Sequence, residues 1–360
     1  MLHSTRDELL PIEQTIMNKP LCALTMGDPS GIGPEVILKT LLSPRAQKSA
    51  RMLVIGYPDP FLRDIPMLGL NLVIHQIDTL SQLSDSVNTV NLITPQKHGN
   101  IPLSYATIDA RCGHAAGRCI EYSANLALSS DVDAIVTAPI NKESLSLAGY
   151  PYPGHTEFYQ HLTDAKDIAM MLTLGNLRIV HVTTHTAIRD VPPLIKKERI
   201  VRVAKLMYDA LILLGIPKPH LAVSGLNPHS GEGGMFGNEE LEEIIPAVEK
   251  LKSEGMNVSG PFPPDTIFAR TYYGEFDGVV AMFHDQGHIA LKLIGFKLGK
   301  EQSEVGGVNV TLGLPIIRTS VDHGTAFDIA GKGIASPLSM IEAVEMAATF
   351  AKGKEKSLHN

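Results

Sequence analysis

Tryptophan is absent from the 360 residues, and cysteine occurs three times. The missing indole carries no functional information, but the cysteines carry some. Cys22, Cys112 and Cys119 are an odd number in a long chain, which argues against a disulfide framework and for a reducing, cytoplasmic setting. Cys112 and Cys119 stand too far apart for a CxxC redox pair, so all three read as packing residues. No apolar run reaches membrane-spanning length, and the N-terminus lacks the apolar core of a signal peptide. Basic runs are also missing and the formal net charge is −7, which argues against a general nucleic-acid role. Neither internal repeats nor low-complexity tracts interrupt the chain.

What is present is an ordinary soluble composition, 44% hydrophobic and 19% charged, in a chain long enough for one large or two medium α/β domains with a sizeable core. Apolar runs alternate with helical patterns. Strands are expected at 51–58, 70–77, 132–139, 177–184, 220–227, 276–283 and 315–320, and helices at 113–130, 195–213, 239–253 and 337–351. The alternation predicts an α/β protein with a largely parallel sheet. The first strong apolar run, "LCALTM", begins at Leu21; residues 1–16 read as a tail or an alternative start before Met17, and "KGKEKSLHN" as a frayed polar end.

Three expected strands lead to a histidine. "LRIVHVTT" is followed by His185, "HLAVSGLN" leads through Pro228 to His229, and "FDGVVAMF" runs into His284. Open α/β sheets bind ligands at the carboxyl ends of their strands. Three imidazoles at that level form a candidate transition-metal centre with an open position, although a single strand-end histidine is more often a hydrogen-bonded structural residue. His288 stands four residues after His284, but a zinc-binding helix needs Glu directly after the first histidine. Here the sequence is H-D-Q-G-H, and Gly287 predicts a turn at 285–287 that separates the two rings. His284 is therefore the candidate ligand and His288 its neighbour.

The glycine-rich stretches contain no nucleotide fingerprint. In "MGDPSGIGPEV" (26–36), Val36 occupies the third glycine position of G-x-G-x-x-G; the stretch reads as a turn into a helix, with Pro34 near its start and Glu35 in its first turn. "NPHSGEGGMFGNEE" (227–240) is a long loop before another helix. Either loop could offer backbone N–H groups to a phosphate, or serve only as a tight turn. Lys142, Arg189, Lys292 and Arg318 lie in largely neutral apolar contexts that would suit an anionic substrate, though each taken singly is more often a surface charge.

"DHGTAFDIAGKGIASP" (322–337) resembles the segment of the isopropylmalate and isocitrate dehydrogenase superfamily that wraps the adenosine of the nicotinamide cofactor. "MGDPSGIGPE", "YPGHTEF", "TTH", "GLNPHSGEGG", "FHDQG" and "GVNVTLGLPIIRTSVDHGTA", in that order across about residues 21–350, resemble the 4-hydroxythreonine-4-phosphate dehydrogenase family of pyridoxal phosphate synthesis. The resemblance implies a two-domain isocitrate/isopropylmalate dehydrogenase-like α/β fold with an interdomain cleft and no Rossmann fingerprint. Its domains would be 21–140 with 285–352 on the cofactor side and 141–284 for metal binding and dimerisation, flanked by tails at 1–20 and 353–360. It further implies a homodimer whose active site is shared between subunits, using NAD and one divalent ion (Zn, Co, Mn or Mg). The metal ligands would be His185, His229 and His284. Substrate would be bound by His155, Thr156, Lys292, Asn309 and Arg318, with Lys292 and His284 in catalytic roles, and the cofactor by His323, Gly324, Thr325 and Asp328.

The family's reaction oxidises a phosphorylated 3-hydroxy acid at C3 to a β-keto acid, which loses CO2. One departure separates this sequence from the vitamin-pathway members, which commonly carry "HDQGLP" where this chain has "HDQGH". That wording, with "HGTAFDIAGKG", is more like a sister branch that converts D-threonate or D-erythronate 4-phosphate to dihydroxyacetone phosphate. His288 becomes a candidate for recognising a 2-hydroxyl in place of a 2-amino group. The alternative is 4-hydroxy-L-threonine 4-phosphate as substrate, giving 3-amino-2-oxopropyl phosphate. More remote readings are a dehydrogenase of a non-phosphorylated cis-dihydrodiol carboxylate and a catalytically silent metabolite-binding relative.

Overall fold

Runs of Val, Ile, Leu and Ala form strands in the computed structural model, which describes residues 19–96, 101–297 and 304–358. The tail expected at 1–16 lies outside those residues. The strands are β1 (Leu21–Thr25), β2 (Arg51–Ile55), β3 (Val73–Gln76), β4 (Thr89–Ile93), β5 (Ala134–Thr137), β6 (Ala169–Leu174) and β7 (Leu177–His181). They continue with β8 (Leu221–Ser224), β9 (Val258–Phe262), β10 (Gly278–Ala281), β11 (Phe296–Lys297), β12 (Glu304–Val305), β13 (Val308–Leu312) and β14 (Arg318–Val321). Twelve form one sheet in the order β3-β4-β2-β1-β5-β14-β13-β6-β7-β10-β8-β9, while β11 and β12 pair separately.

The sheet is mostly parallel, as the alternation predicts. Its neighbours β1/β2, β1/β5, β5/β14, β7/β10, β8/β10 and β8/β9 are all parallel. Three antiparallel pairs, β13/β14, β6/β13 and β6/β7, interrupt it at the centre. Three reversals mean that the block β7-β10-β8-β9 runs opposite to the block containing β1 and β5. The sheet twists at each strand, so the intervening strands turn one block against the other. Strands β5, β8 and β10 are buried along their whole length, as expected for a sheet covered on both faces.

The expected strands and helices are present with shifted ends, but β4, β6, β9, β11, β12 and β13 are not among the expected strands. Glycines explain how closely the helices pack. In the helix Ala110–Leu128, a Cβ on Gly113 would come within 1.9 Å of the Ser144 carbonyl, and one on Gly117 within 2.2 Å of the Tyr150 ring. The polar C-terminal segment does not fray at residue 352. The last helix runs Leu338–Leu358, because Gly353 lets it approach the Leu213 carbonyl, which a Cβ would meet at 2.0 Å. All three cysteines are buried and free. Among the described residues no helix is long and apolar enough to cross a membrane.

The turn after β1 supports the wall of the site. As expected, it enters a helix, Gly33–Leu41, with proline at its start and Glu35 in its first turn. Asp28 lies in the turn, fully buried; its Oδ1 accepts the Ser30 N–H at 2.9 Å and its own N–H donates to the Pro139 carbonyl at 2.9 Å. Burial raises the Asp28 carboxyl to about 6. A raised folded-state value means that stability is greatest below the unfolded pKa near 4 and falls as pH rises to about 6, where the loss is complete. Asp28→Asn keeps the Ser30 acceptor and removes the titration. Wild type should therefore lose about 2–3 kcal/mol relative to the variant between pH 4 and pH 7. Urea denaturation at both pH values checks this; parallel pH profiles for the two proteins would refute it.

Candidate active site

Residues at or just beyond the ends of β5, β14, β7 and β10 enclose a cavity of about 390 Å³. One wall is the helix His284–Gly295, which starts directly after the β10 strand and its short exit. The turn expected at 285–287 is therefore helical, and His284 and His288 do not part. Their rings stack at 3.6 Å between centroids, with 14° between planes. Gly287 is tolerated in the helix because it packs flush on β7: a Cβ would come within 2.5 Å of His181 Nε2 and 2.7 Å of Ile179 Cγ2. Close packing here outweighs the helical cost of glycine. Helical spacing then puts His284, His288 and Lys292 on one face, and all three line the cavity.

Hydrogen bonds fix the state of these rings. His284 Nδ1 donates to Asp285 Oδ1 at 2.6 Å, so Nε2 is the nitrogen that this bond leaves for a ligand. His288 Nδ1 donates to the His284 carbonyl at 2.9 Å. Burial lowers His288 to about 4, so it is neutral at ordinary pH, with an accepting Nε2. Behind them His181 is fully buried and held neutral, its value pushed down to about 3 chiefly by burial.

The opposite wall is cationic. Arg318, on β14, is 3% exposed, and its guanidinium donates to Thr311 Oγ1 at 3.0 Å and Thr137 Oγ1 at 2.6 Å. Burial lowers it to about 10, which leaves it charged. His155, first residue of the helix His155–Leu162, lies close by; burial and then the Arg318 charge hold it well below the usual imidazole range. Gly154 caps that helix without a side-chain acceptor, so its first N–H groups stay available to an anion. The buried Nε2 of His155 and Oδ1 of Asn309 have no partner. Lys142 also lines the cavity, whereas Arg189 is 88% exposed beside Asp190 and takes no part in it.

The three strand-end histidines are not assembled by one chain. His185, in a left-handed conformation at φ 48°, lies 5.4 Å from His284 between ring centroids and faces the cavity. Burial, the neighbouring His284 and Lys142 all lower its pKa. His229 is exposed, outside the cavity lining, with its ring 6.3 Å from Phe236. The chain after β8 enters a left-handed run in which His229, Ser230, Gly231, Glu232 and Gly233 all have positive φ. Glu240, buried at the start of the next helix, holds this run through the Leu226 and Asn227 N–H groups at 2.8 and 2.7 Å. Among the described residues no group of three or more ligating side chains comes together in one chain.

Of the residues expected at the cofactor, His323 and Gly324 line the cavity, while Thr325 and Asp328 lie beyond it. His323 Nδ1 donates to the Gly324 carbonyl at 3.0 Å, and burial lowers its pKa. Thr156 also lines the cavity. Two lining carboxylates were not anticipated. Glu157 follows Thr156 directly, and Asp322 precedes His323, its pKa raised chiefly by burial. Adjacency to expected site residues was the available signal for both.

Residues 48–347 match the family described as pyridoxal phosphate biosynthetic protein PdxA. A D-threonate 4-phosphate dehydrogenase of Cupriavidus necator is 43% identical over 92% of this chain and 97% of its own. A 4-hydroxythreonine-4-phosphate dehydrogenase of Geobacter metallireducens is also 43% identical, over 93% of this chain and 97% of its own. The crystal structure of a 4-hydroxythreonine-4-phosphate dehydrogenase from Klebsiella pneumoniae superposes with a TM-score of 0.82 at 43% identity, covering 92% of this chain and 100% of that one.

The flush seating of Gly287 gives a direct test. Gly287→Ala should destabilise the fold by about 1–3 kcal/mol through overpacking against His181 and Ile179, despite a gain of about 1 kcal/mol in helical propensity. Urea denaturation followed by circular dichroism measures it; a variant as stable as wild type or more so would remove the packing argument.

Proposed function

The chain belongs to the family described as pyridoxal phosphate biosynthetic protein PdxA, and we propose that within it this enzyme oxidises and decarboxylates D-threonate 4-phosphate or D-erythronate 4-phosphate to dihydroxyacetone phosphate. The family is one of dehydrogenases, so the chain is an oxidoreductase, and a nicotinamide cofactor goes with that class. NAD is the proposed form, and the cytoplasm, which suits three buried free thiols, the proposed location. Arg318 carries the reading. A buried guanidinium that donates to two hydroxyls, with Lys142 and Lys292 lining the same cavity, suits a small acid with anionic groups at both ends.

In the proposed reaction a bound nicotinamide cofactor would accept the C3 hydride while the C3 hydroxyl loses its proton. The C1–C2 bond of the β-keto acid then breaks, CO2 leaves, and the resulting enediolate is protonated at C2. Arg318, Asn309 and the helix start at His155 and Thr156 orient the anionic groups. Lys292, on the same helical face as His284, exchanges the proton and offsets the developing negative charge. The neutral His288 accepts a hydrogen bond from a C2 hydroxyl, a role that leucine cannot fill. His323 and Gly324 form the cofactor end of the cavity, continuing into Thr325 and Asp328.

A divalent ion bound by His185, His284 and His229 would polarise the hydroxyl and the ketone formed from it. The free His284 Nε2 and its proximity to His185 suit such an ion, but one chain offers two of the three histidines. We propose that His229 comes from a second copy. The outer face of the helix His284–Gly295 supports this, since Ile289 and Leu293 are 68% and 81% exposed there, and the exposed Tyr273 follows the adjoining helix.

An NADH-production screen tests the substrate. D-threonate and D-erythronate 4-phosphate should turn over, and KM should rise at least about tenfold on removing the phosphate. His288→Leu should lower the ratio of kcat/KM for the hydroxy acid over 4-hydroxythreonine 4-phosphate by about tenfold. An unchanged ratio ends the role of His288, and turnover of the aminated acid alone ends the substrate reading. Mixing inactive His229→Ala and His284→Ala proteins tests the shared site. Half of randomly formed dimers are mixed and each rebuilds one intact site, so about a quarter of wild-type activity should return. No recovery after verified subunit exchange would place all ligands within one chain.

A further inference from the structure

His323 and Gly324 line one end of the cavity, and the stretch that continues from them to residue 335 has little regular structure of its own. Its hydrogen bonds lead to one helix. At its start the Ile32 N–H donates to the Thr325 carbonyl at 3.1 Å, and a Cβ on Gly31 would stand 2.9 Å from Thr325 Cβ. At its end Lys39 Nζ donates to the Gly333 carbonyl at 3.0 Å and the Ala335 carbonyl at 2.7 Å. The third Lys39 donor meets Glu35 Oε1 at 2.8 Å, and that same oxygen accepts the Ala335 N–H at 2.8 Å. Lys39 thus uses all three of its donors on acceptors of fixed direction, and Glu35 beside it is 1% exposed. Gly333, at φ 70°, is held in a conformation that suits glycine.

Neither Glu35 nor Lys39 lines the cavity. A plain packing role would be met by apolar side chains, since a buried ion pair adds little stability over a well-packed apolar pair. What the pair adds is direction: its carboxylate and ammonium fit one placement of the 333–335 backbone. Between this anchor and the one at Thr325 lies Asp328, and His323 and Gly324 stand next to the first anchor. We propose that Lys39 and Glu35 are positioning residues for the cofactor, setting the 325–335 loop so that it forms the wall against which the nicotinamide dinucleotide binds. This rests on the reading of His323, Gly324, Thr325 and Asp328 as the cofactor end of the site.

The test uses the full-length protein and a double substitution, Lys39→Met with Glu35→Gln, which removes the charge pair without leaving one charge buried alone. Hydrogen exchange reports on the loop, and NADH fluorescence titration reports on the cofactor without requiring the right substrate. Amide exchange in 325–335 should accelerate at least about tenfold while the strands β1 and β5 keep their protection. The Kd for NADH and the KM for NAD should rise about tenfold, with kcat at saturating NAD and KM for the phosphorylated acid changing less than about twofold. Unchanged exchange would show that the pair does not set the loop. Faster exchange with unchanged NADH affinity would show that it sets a loop of no consequence for the cofactor. Wild-type protein that binds no NADH would instead overturn the underlying cofactor reading, and so is told apart from both.

Discussion

A buried cation with neutral partners organises the centre of this molecule. Arg318 stands on β14, and its two hydroxyl partners, Thr137 and Thr311, come from the strands on either side, β5 and β13. Burial weakens the guanidinium, yet at about 10 it stays protonated at neutral pH. Such a charge is costly in a low-dielectric interior, and the Glu157 carboxylate offsets only part of the burial effect. In the proposed reading, an anion entering the cavity would relieve more of that cost. Burial, and then the same charge, keep His155 neutral, so that this ring offers a hydrogen bond and not a second positive charge.

The position of Arg318 follows from the strand directions. It lies where the parallel block around β1 and β5 gives way to the three antiparallel pairs and then to the oppositely directed block of β7, β10 and β8. The two halves of the sheet meet there, one bringing Thr137 and Arg318, the other His185 and His284. The strand-end histidines were legible in sequence because β7, β8 and β10 are short, apolar and cleanly ended. The reversal between the halves was not. β6 and β13, "AMMLTL" and "VNVTL", carry the buried residues of a central strand, and composition does not give strand direction.

Gly287 shows a second limit on reading sequence alone. Helix propensity argues against it, and propensity is a weak prior that tertiary contact overrides. The contact comes from His181 and Ile179 on β7, which nothing local to 284–288 reveals. Once the helix forms, His284, His288 and Lys292 share a face, and their spacing becomes informative. The left-handed run at His229–Gly233 is similar: its glycines are visible in sequence, but the Glu240 carboxylate that fixes it comes from the following helix. Proline and acidic residues marked the helix starting at Gly33 correctly because caps are local signals.

The two phosphorylated acids named for the relatives carry an amine or a hydroxyl at C2, and overall identity does not choose between them for this chain. Relatives named for D-threonate 4-phosphate stand at 41–46% identity to this chain, and one named for 4-hydroxythreonine 4-phosphate falls inside that range at 43%. An ammonium would need acceptors and gains from negative charge; a hydroxyl needs one acceptor or one donor and is indifferent to charge. The cavity presents both options, the carboxylates of Glu157 and Asp322 on one hand and the neutral His288 on the other. Asp322 is raised by burial, which makes it a poorer counter-ion, and Lys292 already opposes its charge. His288 has its Nδ1 committed to the helix backbone, so only its accepting Nε2 remains for a ligand. The hydroxy acid proposed as substrate would find in His288 a neutral acceptor that burial keeps unprotonated.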